Sequence, residues 1–527
     1  MKSSFFEFHV AMSGLFTARS SLGVVSHNTA NAATRGYSRQ KALVKASAPI
    51  SDGTGRGMVG TGSYVHAIEQ VREQFLDSKY RVQTSIRGEY TGKMNQLSVL
   101  ENIFNEADEK SGLSAAFNDF FNKASDLSTT ANDSTYRTNL IQSASALAEA
   151  VNSSGEALSR QQLEANNELA IAVRQINSLG HQIASLNKRI AIMELDGSAA
   201  NDLRDQRARL IDDIAVLANV EVKELDIGTR ENPGKRFALT MNGYEFVNGS
   251  SVQELGLRRR SAKKNPMDAD GLHDVVFEKL GLEFDMAHPK LKGQIRGLAD
   301  VRDGNGTGSE YKGIPYYMEK LNTLAVTAAK AADMGIYPDG KPLEGVIGHV
   351  NGFNLNGMKS EGGGDDGTLF FTFKGGPETS SGPSGANFID YSLMNCLNFT
   401  VNDAIKGNPA LLNCAEDSVH GESSCGVTRG FANINSNPSL FKEGKLLDFI
   451  SAISSEMGID ASQAKKFDAN YSDVIAAIDN ERIAYSGVDV NEEMVEMIKH
   501  QQLYQASAKL VNVINGIYGT LINELGV

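Results

Sequence analysis

At 527 residues the chain is too long for one apolar core, and its formal charge of −13 leaves no dense cationic face for nucleic acid or an anionic membrane. No stretch reaches the roughly 18 apolar residues of a membrane span, and Glu7 and His9 interrupt the apolar N-terminus, so no cleaved signal peptide is expected. Three cysteines, Cys396, Cys414 and Cys425, cannot staple a chain of this length and read as buried thiols with room for one local bridge.

Residues 3–33 place Phe5, Phe8, Met12, Leu15, Leu22, Val25 and Thr29 at steps of three and four, a narrow seam of coiled-coil type. Asn28, Asn31 and Thr34 favour side-chain bonds to local backbone, and Gly36 supplies positive φ, so the helix is expected to stop there, just before Tyr37. Residues 40–70 read as two extended segments around a Gly-rich turn, and Gly55, Gly57 and Gly60 formally spell G-x-G-x-x-G. The third Gly leads into a strand-like segment, so a hairpin turn is expected rather than a dinucleotide site.

Helical periods return at 71–105, 113–128, 134–195 and 201–218, strands at 220–292, and helix again at 312–334. The basic run at 257–264 reads as a solvated loop, and 340–435 as a loop-and-strand insertion. Its EGGGDDG stretch lacks the spacing of a calcium loop. Two further helices are expected at 444–457 and 461–484.

The last forty residues carry two seams. One runs Met494, Met497, Gln501, Tyr504, Ala508, Val511, Asn515, Tyr518, Ile522 and Leu525, the other Leu503, Leu510, Ile514, Ile517 and Leu521. Two apolar seams on one helix need two partners. The N-terminal helix can cover one, and something outside the monomer must cover the other, so both ends look built to polymerise.

These ends resemble the bacterial flagellar rod and hook axial proteins, which carry an Asn-rich box ending in Gly-Tyr and a C-terminal helix rich in Gln-x-x-Tyr-Gln. Here the first is Asn28, Ala30, Asn31, Thr34, Gly36, Tyr37, Ser38, Arg39 and Gln40, and the second is Gln501, Gln502, Tyr504, Gln505, Ala506 and Lys509. Three segments, GYSRQ, SGVDVNEE at 486–493 and NDLRDQRARLIDDIAVLANVEVKELDIG at 201–228, resemble the hook-associated protein 1 branch, the first junction proteins between hook and filament. Arg35 stands where the family usually carries Pro, which leaves the turn to Gly36.

The resemblance implies a mainly α fold with β insertions: a terminal α-helical coiled coil, a long-helix bundle core and outward β-rich parts. The expected division is 1–38 plus 488–527 as the terminal polymerisation layer, and 39–220 plus 293–340 and 440–487 as the helical core with a β-hairpin near 40–70. Residues 221–292 would form a β-rich outer domain and 341–439 an insertion. The implied function is structural: a tier of copies joining hook to filament.

The implied partners are further copies of the chain, hook protein and the second junction protein. A cytoplasmic export chaperone on the C-terminal segment and the flagellar export apparatus complete the set, and the location is the extracellular flagellum. The expected assembly residues are Phe5, Phe8, Met12, Leu15, Leu22, Asn28, Asn31, Thr34, Gly36 and Tyr37, with Met494, Met497, Gln501, Tyr504, Gln505, Ala508, Val511, Ile514, Tyr518, Leu521 and Leu525. Ordering some 70 terminal residues at roughly 1–2 kcal/mol each exceeds what a lone monomer gains, so the ends are expected to order on assembly.

No cofactor, metal or catalytic residue is expected. The nine His lack zinc spacing, no G-x-S-x-G elbow appears, and the pairs Asp212–Asp213 and Glu492–Glu493 read as solvated helix faces. The alternatives are a hook or distal-rod subunit of the same family, or a secreted enzyme or adhesin using 341–439.

Overall fold

The computed structural model describes residues 5–51, 57–104, 112–130, 132–226, 235–308, 310–360, 367–380, 389–419 and 424–523. Leu525, Gly55 and the acidic glycine stretch at 361–366 lie outside them. Helix α1 (Phe6–Asn31) leads into strands β1 (Gln40–Ala46), β2 (Ile50–Ser51), β3 (Met58–Val59) and β4 (Ser63–Gln70). Antiparallel β1–β4 pairing is prolonged by β2–β3, so the glycine pattern belongs to a hairpin extension.

A helical body follows: α2 (Gln74–Ile103), α3 (Leu113–Leu127), α4 (Ser134–Met193) and α5 (Asn201–Leu217). At 60 residues α4 is about 90 Å long and serves as the spine. Its Leu140, Ala144, Leu147, Val151, Leu158, Leu169, Val173, Ile176 and Ile183 recur at helical spacing and are all buried. Strands β5 (Val220–Asp226), β6 (Lys235–Met241), β7 (Tyr244–Asn248) and β8 (Ser251–Val252) form one antiparallel sheet in chain order, and β9 (Leu255–Arg259) pairs with β10 (His273–Phe277). They pack with α5 and α6 (Gln294–Asp303) on the second half of α4.

The first half of α4 lies in a second core with α2, α3 and α7 (Ile314–Met334). The same core takes in β11 (Phe371–Phe373) paired with β12 (Phe399–Val401), then α8 (Asp403–Gly407), α9 (Gly426–Ser436) and the start of α10 (Leu446–Ser486). Helix α11 (Val490–Asn523) closes the described chain. None of the described helices is long and apolar enough to cross a membrane.

Several local readings need correcting. The two helices expected between 444 and 484 are one, because α10 lies antiparallel along α2 and its tertiary contacts carry it through Gly458 at a cost of about 1 kcal/mol. Tyr90 stacks on Phe467 and Tyr471 along this contact. Helix α9 stands where loop or strand was expected, and α6 fills a stretch of the expected helical core to which no element had been given. Both are short and rich in weak helix formers, but α9 buries Val427, Phe431 and Ile434 on one face, and packing decides in such segments.

The basic run at 257–264 is exposed except that Leu257 is half-buried and the Arg260 side chain turns inward. The Arg260 guanidinium meets Asp274 at 2.8 Å and Asp303 at 2.6 Å. Burial opposes its charge, yet these two carboxylates hold its pKa above the ordinary arginine value. All three cysteines are buried, and burial pushes the Cys396 and Cys414 thiols up to about 12, far from a nucleophile's range.

Candidate assembly junction

Helices α1 and α11 form an antiparallel hairpin. Phe5 meets Tyr518 edge-to-face at 5.1 Å at one end, Gly14 faces Ser507 in the middle, and Asn28 bonds Glu493 at the other end. The buried face of α1 runs Ala11, Ala18, Ser21, Val25 and Asn28, with Gly14 in step between the first two. This is a heptad seam that shares Val25 with the expected row but is offset by one residue from Met12, Leu15, Leu22 and Thr29. Small side chains let α1 sit close to α11 on one side and to the β-hairpin on the other, where Thr17 Oγ1 donates to the Ser63 carbonyl at 3.0 Å. A Cβ at Gly14 would stand 3.1 Å from Ser507 Oγ, which leaves no room for a larger residue without shifting the pair.

Of the expected assembly residues on α1, Phe8, Met12, Leu15 and Leu22 are half-buried on the flank of the hairpin, and Phe5 is exposed apart from its contact with Tyr518. On α11 the row Met497, Val511, Ile514 and Tyr518 turns inward, in heptad register with Glu493, His500, Tyr504 and Ser507. Ala508 is half-buried beside this row, and Tyr504 is 36% exposed. Met494, Gln501, Gln505 and Leu521 are exposed, together with Leu503, Leu510, Val513 and Ile517. One helix face is therefore paired within the chain, and an apolar flank is left open.

The hairpin joins the body through a polar knot around the Asn-rich box. Asn28 is 1% exposed and uses its full hydrogen-bonding capacity. Its amide donates to the Gln40 carbonyl at 2.9 Å and to Glu493 Oε2 at 3.0 Å. Its carbonyl oxygen accepts the Tyr37 hydroxyl at 2.8 Å and the Gln40 N–H at 2.9 Å. Burial first, then Asp202, Asp205 and Glu493, raise the Tyr37 pKa, so the phenol stays neutral and keeps donating.

Arg39 grips α11 through Glu493 at 2.7 Å and Glu492 at 2.9 Å, while its N–H donates to the Ser486 carbonyl at the end of α10. Ser38 is fastened to α5, with its N–H and hydroxyl reaching Asp205 at 2.8 and 2.7 Å. Arg72 bridges Asp205 at 3.0 Å to Asp77 at 2.6 Å, and Arg482 on α10 joins Asp77 to Asp212. Burial lifts Asp205 above the usual carboxylate range against the Ser38 and Arg72 bonds. For Asp77 the arginines win over burial and hold its pKa below that range.

Asn31 Nδ2 donates to the His27 carbonyl, and Thr34 bonds Asn31. Gly36, at φ +77°, takes the third position of a turn closed by the Tyr37 N–H on the Thr34 carbonyl. Arg35 holds the second position, where proline's fixed φ suits a type II turn.

The sequence reading singled out the box but not its partners. GYSRQ, NDLRDQR and the acidic pair of SGVDVNEE, each noted on its own, converge here from three distant stretches. Glu493 is not part of a solvated face: its side chain is 2% exposed and holds both Asn28 and Arg39. Asp212 likewise is bound by Arg81 and Arg482. Nothing in local composition distinguishes these carboxylates, because their partners lie hundreds of residues away. Among the described residues, no group of three His, Cys, Asp or Glu could hold a metal ion.

Comparison with known proteins agrees along the chain. The flagellar hook-associated protein FlgK helical domain matches residues 97–334, and the flagellar basal body rod FlgEFG protein C-terminal family matches 480–524. Flagellar hook-associated protein 1 of Bacillus subtilis is 28% identical over 539 residues, covering 100% of this chain and 99% of that protein. Its Salmonella typhimurium counterpart is 26% identical over 573 residues, covering 97% and 98%. The flagellar hook junction protein FlgK from Burkholderia pseudomallei shares the fold at a TM-score of 0.58 and 13% identity, over 78% of this chain and all of that one. End-to-end similarity to these relatives, with a matched helical domain and a matched C-terminal segment, makes the chain similar along its whole length to flagellar hook-associated protein 1.

Proposed function

We propose that the chain is a structural subunit of the hook–filament junction and assembles through its terminal hairpin. The observation that carries this reading is the two-sided α11: one face is satisfied by α1, while Leu503, Leu510, Val513, Ile517 and Leu521 remain exposed on a flank. From 501 to 523 the helix carries a single charged residue, Lys509, so that flank suits a neighbour better than water. Residues 1–38 and 488–527 form the assembly layer. The helical core comprises 39–220, 293–340 and 440–487, with 221–292 and 341–439 as outward parts.

Copies form a tier on the hook and offer a surface to the second junction protein. Before export a cytoplasmic chaperone covers the open flank of α11, and the subunit reaches the extracellular flagellum through the flagellar export apparatus. In the free monomer the hairpin is the least stable part, and it gains its full order from neighbours.

Isolated hooks incubated with the full chain, or with a chain lacking 1–31 and 490–527, test the reading. The full chain is expected to cap hooks in a short, self-limiting layer and the shortened chain to stay in solution. Long tubes of the chain alone would favour a hook or rod subunit instead. Equal capping by both would overturn assembly through the termini.

A further inference from the structure

We propose that the far tip of α4 is a second contact between copies, seated against the open flank of α11 in a neighbour. The proposal rests on the reading that copies assemble through the terminal hairpin. At the tip Ile192 is 59% exposed, Met193 57% and Leu195 83%. Scattered exposed apolar residues are ordinary on a protein surface, but three within four positions on one turn are not.

The turn that displays them is braced. Glu194 receives Arg204 at 2.7 and 2.8 Å and the Ala200 N–H at 3.0 Å, and Ser198 Oγ donates to the Met193 carbonyl at 3.1 Å. Arg204 also reaches Glu224 at 3.3 Å, and Arg207 ties Glu224 to Asn187. A tip fixed by ion pairs presents its apolar side chains with little conformational entropy left to lose on docking.

Two observations choose a second copy as the occupant. Within the apolar turn 192–195 the one ionisable group, Glu194, is spent on Arg204, and α11 from 501 to 523 is charged only at Lys509, so these two surfaces meet with little unpaired charge. The tip also stands at the corner where the hairpin meets the body, because the helix that follows it bonds Gln40 through Asn201 and His27 through Asp202. Copies side by side with an axial offset of about 30 Å, the rise of α11 from Glu493 to Val513, bring this corner of one to the open flank of the next.

Full-length chains carrying Met193→Ser with Leu195→Ser, or Val513→Asp, separate this contact from assembly in general. All three positions are exposed, so thermal unfolding of the monomer should not change. The tip variant is expected to raise the concentration needed for self-assembly at least tenfold, and oxidised assemblies of Leu195→Cys with Val513→Cys should yield disulfide-linked dimers. If the tip variant assembles like the parent while Val513→Asp fails, the tip contact is wrong and the hairpin reading stands. If neither variant changes assembly, both fall. A tip variant that self-assembles normally but no longer caps hooks would assign the tip to hook protein and overturn the second-copy proposal, as would a cross-link confined to single chains.

Discussion

Asn28 shows how much one side chain can be asked to do at a corner where the chain changes direction. Its four hydrogen bonds join α1, the β-hairpin and α11, and truncation would leave the Gln40 backbone, the Tyr37 hydroxyl and Glu493 buried without their partner. Asn28→Ala is expected to cost about 2–4 kcal/mol locally. Amide exchange should show lost protection at Gln40 while the α4 core keeps its own; unchanged protection at Gln40 would count against a structural hub.

A second residue-scale expectation concerns two buried groups that clasp the segment leading into β11. Asp333 accepts the Phe370 and Phe371 N–H groups and the Tyr391 hydroxyl, and burial pushes its pKa up to about 7 against those bonds. His349 bonds the Thr368 carbonyl and accepts the Asn413 N–H; burial, then Arg137, push it down to about 4. Between about pH 4 and 6.5 the folded state holds a proton on Asp333 that the unfolded chain has lost, so this group's contribution weakens as pH rises. His349 is refused a proton that the unfolded chain binds, so its contribution weakens as pH falls. The two slopes oppose, and the parent should be nearly flat across that window. Asp333→Asn leaves His349 alone and should lose on the order of 3 kcal/mol of local stability on going from pH 6.5 to 4. Protection of the Phe370 and Phe371 amides reads this directly, and a profile identical to the parent's would refute the coupling.

At the scale of elements, the terminal hairpin depends on small residues where the helices meet. Ala18→Leu fills that close contact and is expected to cost about 1–3 kcal/mol by overpacking. Limited proteolysis should then release α1 and α11 sooner and leave the helical body at its parental rate. The sequence announced the long elements, because Leu140 to Ile183 on α4 repeat so regularly that little but a helix satisfies them. Apart from Val25 it placed the α1 seam one residue off, because Met12, Leu15 and Leu22 carry more apolar surface than Ala11, Gly14 and Ser21, while close approach rewards the smaller set. The corner itself was legible in Asn28, Asn31, Thr34 and Gly36, whose chemistry is local. Asp205, Arg72 and Glu493 were not, since apart from the local Arg72–Asp77 pair their roles follow from pairings 34 to 465 residues apart in the chain. Helices α6 and α9 were missed for a related reason: burial, rather than propensity, makes them.

Across the whole molecule, apolar packing and polar fastening are divided between places. The body is held by two apolar cores along α4, whereas the hairpin is mounted mainly through hydrogen bonds and ion pairs at Asn28, Ser38, Arg39 and Glu493. Directional bonds fix the angle of the hairpin while leaving its outer flank unspent. Burying the exposed parts of Leu503, Leu510, Val513, Ile517 and Leu521 would contribute about 4–7 kcal/mol per copy, enough to order the ends of a subunit whose mount is already in place. Thiol labelling of a full-length Val513→Cys chain, free and then assembled on isolated hooks, tests this most directly, since the native cysteines are buried and should react slowly. Fast labelling of the free chain and at least tenfold protection after assembly is the expected result. Equal labelling in both states would contradict the claim that neighbours cover the open face of α11.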